Sequence, residues 1–157
     1  MTKLNISTSK HPNTYVLIDN DDYEYLNQWK WTRSQRYAVR RDYKTGKIVT
    51  MHRVIMNTPK DMDTDHINNN PLDNRKCNLR ICTTSQNLQN QRPQKRKTSS
   101  LFKGVSYDKH RSKWRAYIKH NSVNIHLGRF KTEIEAAKAY NEKALEIFGE
   151  YAYLNEV

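Results

Sequence analysis

The sequence predicts an α+β protein made of two small modules. Its 157 residues leave room for one ordinary domain or two small ones. Only 36% of the residues are apolar, yet the chain carries 10 Tyr, 3 Trp and 3 Phe, and a disordered chain would be poor in such aromatics. Residues 89–100 contain a Pro and no apolar side chain, so we expect a basic linker over 92–100 between the modules.

The C-terminal module, 101–157, is predicted to be a three-stranded antiparallel sheet packed on one helix. Residues 113–119 alternate between apolar and polar side chains, and 123–127 repeat the pattern after a turn at 120–122. A shorter strand is expected over 104–107. Thr132 and Glu135 form a capping box, apolar residues from Ile134 to Leu145 and beyond recur at helical spacing, and Gly149 ends the helix.

The charge pattern indicates a polyanionic partner. The net charge is +12, and residues 92–129 hold 11 basic groups against Asp108 alone. The outward face of the predicted sheet would present Arg, Lys, Tyr, Asn and His together, which suits the major groove of DNA. The alternative is an ordinary solvated strand surface.

The same region resembles the ethylene-response-factor (apetala-two) DNA-binding domain over about 101–155. The likeness is carried by Lys103-Gly104-Val105, the segments 113–118 and 126–130, Glu135–Tyr140 and Ala152–Asn155. It implies three strands in the major groove of double-stranded DNA. The matching outward positions are Lys103, Ser106, Lys113, Arg115, Tyr117, Lys119, Asn124 and His126. Ser106, Tyr117 and His126 differ from the residues that plant members favour, so the plant target sequence does not transfer.

The first 50 residues are predicted to be a β-rich scaffold with a short helix. Tyr15–Ile18 is an apolar strand, and residues 19–22 offer N-caps for a helix over 23–28. Trp29 and Trp31 are expected in the core. Segments 36–40 and 47–51 flank Lys44-Thr45-Gly46, which predicts a hairpin.

Residues 62–87 carry the groups with catalytic potential. Asp65 and His66 are adjacent, an Asn- and Asp-rich loop follows, and Thr83 or Thr84 caps a helix that contains Asn87. Carboxylate and amide oxygens suit a hard divalent cation, and a neutral imidazole can take a proton from water. Taken alone, these residues also fit a loop of ordinary turns without a site.

The spacing of this segment resembles the HNH endonucleases of phages and mobile introns. Met51–Met56, Asp65–Asn68, Leu72–Arg75, Asn78-Leu79-Arg80 and Thr83–Asn87 carry the likeness, which spans about 50–92. It implies a ββα-metal (His-Me finger) module with its motif at 51–91. Asp65 and Asn87 would hold one Mg²⁺ or Mn²⁺ per active site. His66 and Asn78 would be the catalytic pair, with His66 as the general base and Asn78 bracing the loop and orienting His66. Arg75 and Arg80 are candidates for phosphate contacts. His52 and Arg53 are expected to pack and to position the site, with a place near a phosphate as the alternative.

An HNH module followed by such a sheet domain resembles a phage homing endonuclease. We therefore expect a metal-dependent DNA endonuclease in the cytoplasm of a bacterial host, with no small-molecule cofactor and no membrane segment or secretory signal. Two cysteines without CxxC spacing fit a reducing compartment. A monomer and a DNA-induced dimer are both compatible with this hypothesis. The alternatives are a non-catalytic, repressor-like DNA-binding protein and an RNA-binding accessory protein.

Overall fold

The computed structural model describes residues 1–93 and 99–157. The chain divides into two compact units, 1–87 and 88–157, and each is described by itself. Residues 94–98, part of the predicted linker, lie outside the described residues, so the linker stays a prediction. No helix in the described ranges is long and apolar enough to cross a membrane.

The first unit begins with an antiparallel strand pair and a short helix. Strand β1, Thr2–Asn5, pairs with β2, Tyr15–Ile18, and helix α1 follows at Tyr23–Leu26. The predicted N-caps are wrong, because neither helix turn here has a side-chain cap. Asp19 instead accepts a hydrogen bond from the backbone N–H of Lys76 and so ties this segment to a distant loop.

A three-stranded antiparallel sheet comes next and confirms the predicted hairpin. Its strands are β3, Thr32–Ser34, β4, Tyr37–Arg41, and β5, Ile48–Thr50, in the order β3-β4-β5. The core of the unit lies between these strands, the first strand pair and helix α1, and consists of Leu4, Ile6, Val16, Ile18, Leu26, Trp31, Ala38 and Met51. Burial of such side chains is the main favourable contribution to folding.

The rest of the first unit has a ββα order. Helix α2, Met51–Ile55, leads to strand β6, Asp63–His66. After a loop, strand β7, Leu79–Cys82, pairs antiparallel with β6, and helix α3 follows at Thr84–Gln89. Thr83 caps α3: its hydroxyl accepts from the N–H of Gln86, whose side chain accepts from the N–H of Thr83.

The second unit is the predicted sheet on one helix. Strands β8, Val105–Asp108, β9, Lys113–His120, and β10, Val123–Phe130, are antiparallel in the order β10-β9-β8. Helix α4, Glu133–Phe148, packs on all three strands, and its capping box forms as predicted. The buried residues of this unit include Val105, Ala116, Ile118, Ala136, Ala137, Tyr140 and Ala144.

Two details of α4 differ from the sequence prediction. Ile134 and Leu145 are exposed, because small Ala136 and Ala137 allow the helix to approach the sheet closely with a narrower apolar stripe. The same close approach explains Gly104, where a Cβ atom would lie 2.1 Å from the Tyr140 ring and 2.5 Å from the backbone oxygen of Tyr117.

Candidate functional site

Strand β6 positions the two residues on which the predicted chemistry depends. Asp65 and His66 are its last residues, and they pair with Arg80 and Leu79 of β7. Each is only 6% exposed. Since buried polar side chains are costly unless they are hydrogen-bonded, their partners define the site.

Asn74 holds the imidazole ring of His66. The ring Nε2 lies 2.9 Å from Asn74 Oδ1, and Asn74 is fully buried. The amide nitrogen of Asn74 points the other way, toward the Pro71 carbonyl at 3.5 Å and the Met51 sulfur at 3.9 Å. Because Oδ1 accepts, Nε2 must carry the hydrogen, and Nδ1 is then the basic ring atom.

The surroundings keep His66 neutral. Burial lowers its pKa, while the Asn74 hydrogen bond and the carboxylates of Asp65 and Asp73 counteract part of that effect. His52 lies beside it with ring centroids 5.0 Å apart, and burial lowers the pKa of His52 to about 3. Both imidazoles are therefore uncharged at neutral pH, and the neutral form is the one that can accept a proton.

Asn78 braces the loop that follows β6. Its Oδ1 accepts from the N–H of Asn68 at 3.0 Å, and its Nδ2 donates to Asn68 Oδ1 at 3.0 Å and to the Asp73 carbonyl at 2.8 Å. Its own carbonyl accepts from the N–H of Ile67. These bonds join both sides of the loop. The bond to the His66 ring comes from Asn74, which the sequence analysis did not select.

Both arginines predicted to contact phosphate have carboxylate partners within the chain. Arg75 donates to both oxygens of Asp73 at 2.7 and 2.6 Å, and this hydrogen bonding lowers the pKa of the Asp73 carboxyl. Arg80 donates through Nε and Nη2 to Oδ2 of Asp65 at 2.9 and 2.6 Å. Only 11% of the Arg80 side chain is exposed. Phosphate contacts by Arg75 and Arg80 stay predictions.

The predicted metal donors lie around the same strand. Asn87 on α3 donates from Nδ2 to Oδ2 of Asp63 at 3.3 Å. Asp63 and Asp65 are two positions apart on β6 and therefore share one face. Asp63 is a second residue that the sequence analysis missed, although this spacing in a strand could have indicated it.

The chemistry of these donors fits Mg²⁺ or Mn²⁺. The carboxylate of Asp65 and the side-chain oxygen of Asn87 are hard ligands, and a Mg²⁺ ion commonly takes one or two protein oxygens and completes its shell with water and phosphate. Over residues 1–93 and 99–157, the structure contains no cluster of three His, Cys, Asp or Glu side chains placed to hold a metal.

The outward face of the C-terminal sheet carries most of the predicted DNA contacts. Cross-strand partners on it are Ser106 with Arg115, Tyr117 with His126, and Lys119 with Asn124. The exposed side chains are Lys113, Arg115, Tyr117, Lys119, Asn124 and His126. Arg115 donates to the Ser106 hydroxyl at 3.3 Å. Charge and hydrogen-bonding groups thus lie together on a rigid surface.

Lys103 does not belong to that face, which corrects the sequence prediction. It precedes β8, and its ammonium donates to the carbonyls of Gln89 and Gln91 at 2.6 and 2.8 Å. The group also lies 5.4 Å from the centre of the Tyr153 ring, and burial lowers its pKa to about 8. The alternation of the strand does not extend to Lys103, because Gly104 turns the backbone with a φ of +74°.

Comparison with known proteins gives matches to both parts of the chain. Residues 100–150 match the AP2 domain. "Uncharacterized HNH endonuclease L560" of Acanthamoeba polyphaga mimivirus is 32% identical over 151 residues, which cover 92% of this chain and 76% of the relative. "Protein 3.8" of Escherichia phage T7 is 40% identical over 60 residues, or 38% of this chain and about half (49%) of that protein.

No solved structure gives a significant match to the chain. The mimivirus relative nevertheless shows the family over nearly the whole sequence. This chain belongs to the HNH endonucleases, and it joins its HNH region to a C-terminal AP2 domain.

Proposed function

We propose that this protein is a metal-dependent, homing-type endonuclease that hydrolyses a phosphodiester bond of double-stranded DNA. The observation that carries the proposal is the buried His66 ring, whose Nε2 is held by Asn74 so that Nδ1 is the basic atom. A neutral, fixed imidazole beside carboxylate and amide oxygens is what water activation requires. The family membership and the AP2 domain support the same function.

Asp65 and Asn87 would hold one Mg²⁺ or Mn²⁺ together with the scissile phosphate. When bound, such an ion stabilises the negative charge on the departing 3′ oxygen. The products would carry 5′-phosphate and 3′-hydroxyl ends.

His66 would take the proton from the attacking water at Nδ1. The ring then becomes a buried cation, whose cost is lowered by the Asn74 hydrogen bond and by the nearby carboxylates of Asp65 and Asp73. Asn78 would keep the loop after His66 in place through its bonds to Asn68 and to the Asp73 carbonyl. The buried position of the ring limits competing solvent.

The C-terminal sheet would hold the DNA. Its outward Arg115, Tyr117, Lys119 and His126 face a partner with the charge and hydrogen-bonding groups that duplex DNA requires. Sequence preference would thus come from the AP2 domain and cleavage from the HNH region.

The test is cleavage of supercoiled plasmid and phage genomic DNA by the wild type and by His66→Ala, in Mg²⁺, Mn²⁺ and EDTA. A gel shift on the same DNA measures binding. His11→Ala is the matched control, because His11 lies outside the site. We expect nicked or linear product from the wild type and the control only, in Mg²⁺ or Mn²⁺, with His66→Ala reduced by about 10³-fold and its DNA affinity within twofold.

Asp65→Asn tests the metal assignment separately, since it keeps a hydrogen-bond acceptor for Arg80. It should stay inactive at saturating Mg²⁺ while binding DNA. Full activity of the wild type in EDTA would refute metal dependence. Equal loss of binding and cleavage in His66→Ala would make His66 structural.

One observation favours the alternative of a non-catalytic DNA-binding protein. Two nitrogens of the Arg80 guanidinium donate to the carboxylate of Asp65, which the metal would need. Binding of DNA by the wild type without any product, across plasmid and phage DNA and both metals, would favour this alternative.

A further inference from the structure

A β-bulge turns an additional arginine onto the outward face of the C-terminal sheet. His126 pairs with Tyr117, but Gly128 pairs with Ala116, so Leu127 is an extra residue in β10. Without it, strict alternation from His126 would direct Arg129 toward helix α4. With it, Arg129 pairs with Arg115 and its side chain joins the outward face.

Gly128 makes this bulge sterically feasible. Its φ is +135°, a conformation that other residues rarely adopt, and a Cβ atom there would lie 3.2 Å from the Phe130 ring. Phe130 pairs with Trp114 and packs into the core of the unit. The bulge therefore turns Phe130 toward the core and Arg129 toward the outward face at the same time.

Placing Arg129 directly opposite Arg115 has an energetic cost, because like charges across a strand pair repel. The fold reduces that cost on each side of the pair. Arg129 Nε donates to Oδ2 of Asp108 at 3.4 Å, and Arg115 donates to the Ser106 hydroxyl. Asp108 is mostly buried, with 13% of its side chain exposed, whereas Arg129 retains 33%. The carboxylate can thus orient the guanidinium and leave its outer edge accessible.

We propose that Arg129, oriented by Asp108, reads a base edge in the major groove and is a specificity-determining residue of this protein. An arginine whose planar group is held from the side can donate two parallel hydrogen bonds to O6 and N7 of guanine. The inference rests on the proposed DNA binding by the sheet. A phosphate contact would not need the orienting carboxylate, and Asp108 would weaken it by repulsion.

The experiment uses the full chain with His66→Ala, so that bound DNA stays intact. The His66→Ala chain, with all sheet residues unchanged, is first used to select its preferred binding sites from a random duplex library. Affinities are then measured for the selected duplex, for each single base-pair change in it and for a random duplex. Arg129→Ala, Arg129→Lys and Asp108→Asn are compared with Lys138→Ala, which removes an exposed charge from helix α4.

We expect Arg129→Ala to reduce discrimination at one guanine, the affinity ratio between the selected duplex and the duplex changed at that base pair, by about tenfold. Arg129→Lys should cause nearly the same loss, and Lys138→Ala should leave the ratio unchanged. Asp108→Asn should have opposite effects on two quantities. Affinity for random duplex should rise, because a negative charge is lost, while discrimination at the same guanine should fall.

Equal weakening on all duplexes by Arg129→Ala would make Arg129 a phosphate contact and overturn the inference. Unchanged binding by this variant would overturn it too. If the His66→Ala parent chain selects no preferred sequence, the proposed sequence-specific DNA binding is overturned together with the role of Arg129. If the parent selects a sequence and the Arg129 variants behave as just described, only the role of Arg129 is overturned.

Discussion

The candidate site of the first unit and the sheet of the second unit treat their polar side chains in opposite ways. Around β6 the first unit buries the groups that we assign to chemistry, together with the groups that hold them: Asp65, His66, Asp73, Asn74 and Asn78. Between its sheet and helix α4 the second unit buries alanine, valine and isoleucine together with Tyr140, and its sheet exposes Arg115, Lys119 and the other residues of its outward face.

This difference follows from the two tasks. A general base needs a fixed ring and a controlled pKa, and both require burial among hydrogen-bond partners. A DNA-binding face needs charges that reach the phosphates, and exposed charges add little to stability. Substitutions of these buried groups in the first unit should therefore affect rate and stability together, whereas those on the outward face of the sheet should affect binding alone.

The largest effect that tests this contrast is expected at Asn74. Asn74→Ala removes the acceptor from His66 Nε2 and leaves a buried N–H without that bond. We expect the cleavage rate to fall about 10- to 100-fold and the free energy of unfolding to fall by about 1–3 kcal/mol. Single-turnover cleavage and urea unfolding measure the two effects, and Asn27→Ala, at an exposed asparagine, should change neither.

Asn74→Asp separates positioning from a purely structural role. The aspartate can accept the same hydrogen bond, but its charge favours the imidazolium and raises the pKa of His66. The acid side of the pH–rate profile should then move to higher pH, with the fold retained. A profile identical to that of the wild type would mean that Asn74 does not act through His66.

The next effect concerns the sheet. Arg115→Ala combined with Lys119→Ala should lower DNA affinity about tenfold or more and reduce the slope of log affinity against log salt by about two. Lys131→Ala with Lys138→Ala removes the same charge from exposed positions outside the outward face and should have a smaller effect. Calorimetry should show an unchanged unfolding transition in both double variants. An unchanged salt slope in the first would place the DNA-binding surface elsewhere.

The sequence predicted best the features that depend on local patterns. Strands β8 to β10 follow from alternation, and α4 follows from its capping box and from Gly149. The bracing role of Asn78 was likewise accessible, because its spacing from His66 is that of the HNH motif.

Features set by distant contacts escaped prediction. Asn74 is hydrogen-bonded to the His66 ring, eight residues earlier in the chain, and Asp19 accepts from the backbone N–H of Lys76 instead of capping α1. The bulge at Leu127 reverses the side on which Arg129 lies, since one extra residue changes the face of every later side chain. The alternation of apolar and polar residues along the chain does not show which distant groups will bond or where a strand will bulge.

The smallest expected effect concerns Lys103, whose charge is partly buried although the other lysines discussed in the second unit are exposed. Burial lowers the pKa of Lys103 from 10.5 to about 8 in the folded chain. Between these two pH values the unfolded chain binds more protons than the folded chain, so stability must rise with pH across that window.

Lys103→Met removes this titration, and Lys138→Met is the exposed control. By calorimetry, we expect the unfolding temperature of the wild type and of the control to rise by about 3 °C more than that of Lys103→Met between pH 7.5 and 9.5. The same pH dependence in all three proteins would show that the ammonium of Lys103 is solvated in the folded state, and Lys103 would then behave like the exposed lysines of β9 and α4.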